Sequence, residues 1–167
     1  MTAVSQAMNK MIAFYNENSD RNLHDINHCM KVWGFAKLIG EEENLDERTQ
    51  LTLELAAIVH DIACPLCREK YGNTNGNHQE SEGGILAKEF FDEFSIPDEM
   101  KERIVYLVAH HHTYANVVGD DYQILLEADF LVNADESDRY KTAVDSFRKK
   151  VFKTETGLGI LNGMYQC

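Results

Sequence analysis

Leu53-Glu54-Leu55-Ala56-Ala57-Ile58-Val59-His60-Asp61 runs from the most apolar helical stretch of the chain straight into an imidazole and a carboxylate. A helix apolar on every side is a buried one. Its end then carries two polar groups into a core, where an unpaired neutral polar group costs about 2–7 kcal/mol and an unpaired carboxylate more. A metal ion is a natural compensation, which implies further ligands elsewhere in the chain.

The same signature recurs on either side of this run. His28 lies at helical spacing with Val32, Phe35 and Ile39, and Asp129 sits among Leu125, Ala128 and Val132, so each shares the apolar stripe of its helix. Taken singly, a core histidine bonded to backbone or a salt-bridged aspartate accounts for any one of them. Three helices turning polar groups toward one interior fit a metal site better.

The periodicity predicts helices over about 3–17, 22–40, 47–62, 80–94, 97–112, 121–136 and 138–151, with a short one near 156–164. Ser19 or Asp20 suits the N-cap of the second, Asp46 that of the third, and Pro97 a first-turn position in the fifth. Tyr71-Gly-Asn-Thr-Asn-Gly-Asn77 reads as a loop. No alternating run suggests a strand, so the expected architecture is all-α, an irregular bundle of crossing helices.

The ordered set His28, His60-Asp61 and Asp129 resembles the HD-domain superfamily of metal-dependent phosphohydrolases. The flanks are similar too: His28-Cys-Met-Lys-Val-Trp-Gly-Phe-Ala-Lys-Leu38, Ile62 after the His-Asp pair, and Leu126-Glu-Ala-Asp-Phe-Leu131. The likeness covers about residues 20–135 of what is expected to be one domain over 1–167. It implies an HD-type helical fold, with His28, His60, Asp61 and Asp129 as metal ligands and Asp61 able to bridge two ions. Binuclear members add a histidine at the start of a middle helix and one or two at the end of the next, which directs attention to His78, His110 and His111. The family's paired histidines suit His110-His111 better than His111-His112, and His112 is expected to be exposed. His78 departs from the pattern: the ligand slot falls nearer Gln79, with Glu80 and Glu82 in reach.

Imidazole and carboxylate ligands suit Mn²⁺, Fe²⁺, Zn²⁺, Ni²⁺ or Co²⁺, one or two ions, and suit Mg²⁺ less. Such ions acidify bound water and polarise a phosphoryl oxygen, so hydrolysis of a small phosphoester, for instance a nucleotide, is the expected reaction, with Asp61 as the catalytic carboxylate. Arg68 and Lys70, and more weakly Lys88 and Arg103, are candidate contacts for a substrate phosphate, and Tyr71 and Tyr114 for a base. Cys64-Pro-Leu-Cys67 could hold zinc or undergo redox exchange, but reduced thiols are the plainer expectation, for these two as for Cys29 and Cys167.

Twenty-eight acidic against 16 basic residues give a net charge of −12. A nucleic-acid polymer is therefore not an expected partner, because its binding rests on lysines and arginines neutralising phosphates. No signal-like leader and no 18-residue apolar run is read, so the expected location is cytoplasmic, without membrane association. Two alternatives stay open. One is an HD-fold mixed-valence di-iron oxygenase using His28, His60-Asp61, His78, His110 and Asp129. The other is a metal-containing small-molecule sensor without turnover.

Overall fold

The computed structural model describes residues 1–166; Cys167 lies outside them. The fold is all-α. Among the described residues ten helices follow in chain order: α1 (Ala3–Asn18), α2 (Asn22–Glu42), α3 (Glu47–Val59), α4 (Cys64–Tyr71), α5 (Gly76–Phe91), α6 (Asp98–Val108), α7 (Asp120–Glu136), α8 (Asp138–Lys141), α9 (Val144–Lys150) and α10 (Glu155–Tyr165).

Helix α3 is the axis of the molecule, buried continuously from Thr52 to Val59 and packed against α1, α2, α6 and α7. Asp46 caps it by accepting from the amides of Arg48 and Thr49, each at 3.0 Å. The buried Glu54 is held by Trp33 Nε1 and Gln50 Nε2, both at 2.9 Å, so its charge is not left unpaired in the core. Helix α7 is the second buried element, lying across α2 and α3. Together α3 and α7 bring the ends of their polar positions to one side of the core. Within the segment from Glu47 to Tyr71, one 18-residue window reaches a mean hydropathy of 1.3, although Glu54, His60 and Asp61 interrupt its apolar residues. Its 78% burial inside the protein is that of a core segment.

Several boundaries differ from the sequence expectation, and each has a physical cause. The helix expected to reach residue 62 stops at Val59, and residues 60–63 wind through tight turns closed by Ile62 N to Val59 O and Cys64 N to Asp61 O. Pro65 then opens α4 at a position where its missing N–H costs little. Gly72, at φ +69°, ends α4 in the left-handed region, and α5 begins at Gly76, so the expected loop 71–77 shrinks to 72–75. Helix α6 ends at Val108 rather than 112, and the expected helix 138–151 is two short ones. Neither Ser19 nor Asp20 caps α2; Ser19 closes α1 and donates its hydroxyl to Asp25.

At the far end, Glu127 of α7 is fully buried and ties down the segment leading into α10. Its Oε1 accepts from Gln123 Nε2 (2.7 Å), Lys153 N (2.7 Å) and Thr154 N (3.0 Å), and its Oε2 from the Thr154 hydroxyl. Gly157 fits against it because a Cβ there would stand 2.0 Å from Oε2.

Candidate metal centre

The turn at 60–63 solves a geometric difficulty. Adjacent side chains on a helix diverge by about 100°, yet His60 and Asp61 face the same point because the helix has ended beneath them. His60 Nε2 lies 3.1 Å from His28 Nε2 and 3.3 Å from Asp129 Oδ1. His28 Nε2 is 3.2 Å from Asp61 Oδ2 and 3.3 Å from Asp129 Oδ1. On the other flank of Asp61, Oδ1 stands 3.2 Å from His111 Nε2. The donors form two groups that share Asp61, one with His28 and His60, the other with His111 and His112.

The backbone decides which ring atoms face inward. His60 Nδ1 donates to Ala57 O and His111 Nδ1 to Val108 O, each at 2.8 Å, and His28 Nδ1 donates to Glu136 Oε2 at 2.7 Å. With the Nδ1 positions used as donors, each neutral ring turns the lone pair of Nε2 toward its neighbours and toward carboxylate oxygens. Acceptors facing acceptors at 3.1–3.3 Å repel unless a cation or protons lie between them. Among the described residues that line the cavity above the cluster, the buried His112 Nε2 and Gln79 Oε1 have no hydrogen-bond partner. The donor set therefore fits a divalent ion bound by imidazole and carboxylate.

Electrostatics tells the same story. Burial opposes charge on Asp61, but His60, the hydrogen bond with His111 and the field of His28 hold its carboxyl far below the usual range. Asp129 is held down likewise, against burial, by His28 and His60. Burial also opposes charge on His28 and His111, yet their carboxylate partners keep both imidazoles above the ordinary value. His112 moves the other way, to about 4, because it is buried beside His111. With both imidazoles shifted upward, an ion that binds them displaces protons over a wider pH range than at a free histidine. Metal affinity is expected to rise as the pH climbs through their raised pKa values, from the ordinary imidazole value of about 6.5 upward. Calorimetry near pH 7 in buffers of different ionisation enthalpy should show net proton release, and buffer-independent enthalpies would contradict this arrangement.

The structure leaves other sequence candidates outside the cluster. His110 stacks on Tyr106 and turns its Nδ1 to Tyr106 O, because the helical repeat stops at Val108 and the turns that follow swing His112 inward instead. The expectation of an exposed His112 is corrected accordingly, and of the pair His110-His111 it is His111 that meets the cluster. His78 stacks on Tyr71 at 3.9 Å and meets Asn73, since α5 starts early and presents Gln79 to the cavity. Glu80 anchors the turn by accepting from His112 N (3.0 Å) and the Thr113 hydroxyl (2.8 Å), and Glu82 binds Lys70 and Tyr71. Gly76 touches the His112 ring so closely that a Cβ would sit 2.8 Å from its Cβ. Among the described residues, neither His78 nor His110 joins the two donor groups, so the di-iron set that would include them is not brought together.

Of the cationic candidates, Arg68 lines the cavity, bound to Asp25 (2.6 Å) and Ser19 (2.9 Å), whereas Lys70 is tied to Glu82 and Arg103 to Asp121. Lys88 and Tyr71 do not line it, and Tyr114 lines a separate cavity of about 310 Å³. Cys29, Cys64 and Cys67 are buried free thiols, and burial pushes all three up, away from thiolate. Replacing Cys64 and Cys67 together by serine is expected to leave metal content unchanged by elemental analysis.

The HD domain model matches residues 25–140. The chain belongs to the HD domain family. A crystal structure of a predicted HD superfamily hydrolase from an uncultured Thermotogales bacterium is similar, with a TM-score of 0.70 and 23% identity over 97% of this chain and 84% of that one. At that identity the likeness is one of fold. No curated protein matches the sequence.

One residue of this HD domain was missed in the sequence. Glu136 stands seven residues after Asp129 on the same stripe of α7, with Asn133 between them donating to Asp129 at 2.9 Å, and this spacing could have revealed it. It fixes the His28 ring and is itself steadied by Lys31 at 3.2 Å. Burial works against its charge, but the His28 hydrogen bond holds its carboxyl below the ordinary value. Glu136→Gln is expected to weaken metal binding by about 10–100-fold, measured by competition with a chelating dye. Unchanged affinity would show that His28 needs no such support.

Proposed function

We propose that the protein is a single-domain, metal-dependent phosphohydrolase that releases phosphate from a small anionic phosphoester in the cytosol. Family membership supports metal-dependent hydrolysis, and the phosphoester follows from the site's chemistry. The observation that carries the reading is the exposure of Asp61. Its side chain is 20% exposed while those of His28, His60, His111 and Asp129 are at 0–4%, so of the two carboxylates in the cluster it is the one shared by both donor groups that lines the cavity.

His28, His60, Asp61 and Asp129 would hold one divalent ion and Asp61 with His111 and His112 a second, and such ions would supply an acidified water and a Lewis acid for a phosphoryl oxygen. Asp61, whose carboxyl is held far below the usual range, would orient the attacking water by accepting its hydrogen bond. His112, neutral at physiological pH, offers a lone pair to the second position, and Gln79 Oε1 an oxygen. Arg68, held in place by Asp25 and Ser19, offers positive charge on the cavity wall to an approaching phosphate. Mn²⁺, Fe²⁺, Zn²⁺, Ni²⁺ and Co²⁺ suit this donor set better than Mg²⁺. The net charge of −12 argues against a nucleic-acid polymer as substrate.

Elemental analysis of the purified protein, followed by a phosphate-release screen of sugar phosphates and nucleotides with Mn²⁺ added, tests the reading. Metal-dependent phosphate release supports it. Metal binding with ligand affinity and no turnover would replace it with a sensor, and oxygen consumption with iron would replace it with an oxygenase.

A further inference from the structure

We infer that the substrate carries a second anionic group, remote from the phosphate at Asp61, and that Arg21 and Arg139 bind it. This deepens the phosphohydrolase reading and rests on it for the location of the first phosphate.

The argument starts from the arginines. The chain has six, and four are committed to carboxylates: Arg48 to Glu99, Arg68 to Asp25, Arg103 to Asp121 and Arg148 to Asp145. Arg21 and Arg139 have no carboxylate partner among the described residues, although acidic residues outnumber basic ones by 28 to 16. Both line the same cavity of about 800 Å³ whose floor is the Asp61 cluster. They arrive there from separate segments, Arg21 as the residue capping α2 and Arg139 from α8, and both are exposed. Two exposed guanidinium groups without counter-ions at one mouth make a place for an anion that comes from solution. Arginine is the side chain best shaped for that task, with planar donors that match phosphate or carboxylate oxygens.

The backbone under Arg21 is fixed. Its amide donates to Ser19 Oγ at 3.0 Å, and the same oxygen accepts from Arg68 Nη2, so the rim is joined to the wall. Between floor and rim the lining is rich in amides and hydroxyls, Asn73, Asn75, Asn77 and Ser137 among them, with Tyr140 as its one phenol. A lining of that kind suits a hydroxylated spacer such as a sugar more than an apolar one. The volume is far more than one phosphate fills and lies in the range of sites for whole small molecules, about 300–1,000 Å³. The ligand class is therefore a sugar or nucleoside with anionic groups at two ends.

The test compares matched pairs, each a pentose, hexose or nucleoside monophosphate beside its bisphosphate, on Mn²⁺-loaded protein. Wild type, Arg21→Gln, Arg139→Gln and the double variant are each measured for phosphate release and for the thermal shift each compound produces. Wild type is expected to favour at least one bisphosphate over its monophosphate by about tenfold or more in kcat/KM and in apparent affinity. The double variant should lose that preference while keeping its metal content and its rate on the monophosphate. Equal handling of every pair by wild type, or a preference that survives in the double variant, would overturn the inference. If no compound releases phosphate the hydrolase reading fails by itself, and the thermal shifts still decide the anion site: a bisphosphate preference abolished by the double variant supports it, and none refutes it.

Discussion

Asp61→Ala is expected to leave a folded protein that has lost metal from both donor groups and turns over phosphoester at least about a thousandfold more slowly, the scale on which a lost metal ligand and a lost water-orienting group act together. Asp61 faces His28 and His111 at 3.2 Å and His60 at 3.5 Å, so its removal takes the shared negative charge from imidazoles on both sides. His28 and His111 would then hold protons less readily, and the site would attract an ion less strongly. Asp61→Asn, which keeps the shape and removes the charge, should share the loss of turnover with a smaller loss of metal. Elemental analysis beside phosphate release separates the two effects. Full metal content and near-normal rate in the alanine variant would mean that the site works through other carboxylates.

The second large effect concerns stability rather than chemistry. Glu127→Ala is expected to cost about 3–5 kcal/mol, because it strips the acceptor from two backbone amides, a hydroxyl and an amide side chain in a buried setting. The anchored segment also carries the N-cap of α10, where the Thr154 hydroxyl accepts from Gly157 N at 2.9 Å. Urea unfolding should show a lower midpoint, and metal content of the folded fraction should be unchanged, since Glu127 is not a ligand. A loss under about 1 kcal/mol would show that water takes over these bonds.

The parts of the molecule readable in the sequence are those in which polarity contradicts periodicity. His28, His60-Asp61 and Asp129 stand out because each interrupts an apolar stripe, and the long buried helices α3 and α7 announce themselves by continuous apolar runs. Where the regular repeat ends, the reading loses its ruler. His112 rather than His110 turns inward because α6 stops short, and Tyr122 then pins the turn by donating to His110 O and Thr113 O. Gln79 replaces His78 at the cavity because a Gly- and Asn-rich stretch that reads as loop contains the first turn of α5. Arg21 and Arg139 were invisible for another reason: an exposed arginine looks the same in sequence whether it meets a carboxylate or stands free, and only the fold brings the two to one mouth.

The division of labour between cavity floor and rim bears on how this protein can change over generations. The ligands of the floor hang from α2, the turn after α3, α7 and the turn after α6, segments packed into the core, so few alternatives there leave a folded chain. The rim is carried by the start of α2, the short turn at 72–75 and the four-residue α8, where α8 buries none of its residues. Substitutions at the rim leave the core packing intact. Selection, natural or in the laboratory, can therefore redirect the choice of substrate while the reaction itself is inherited unchanged.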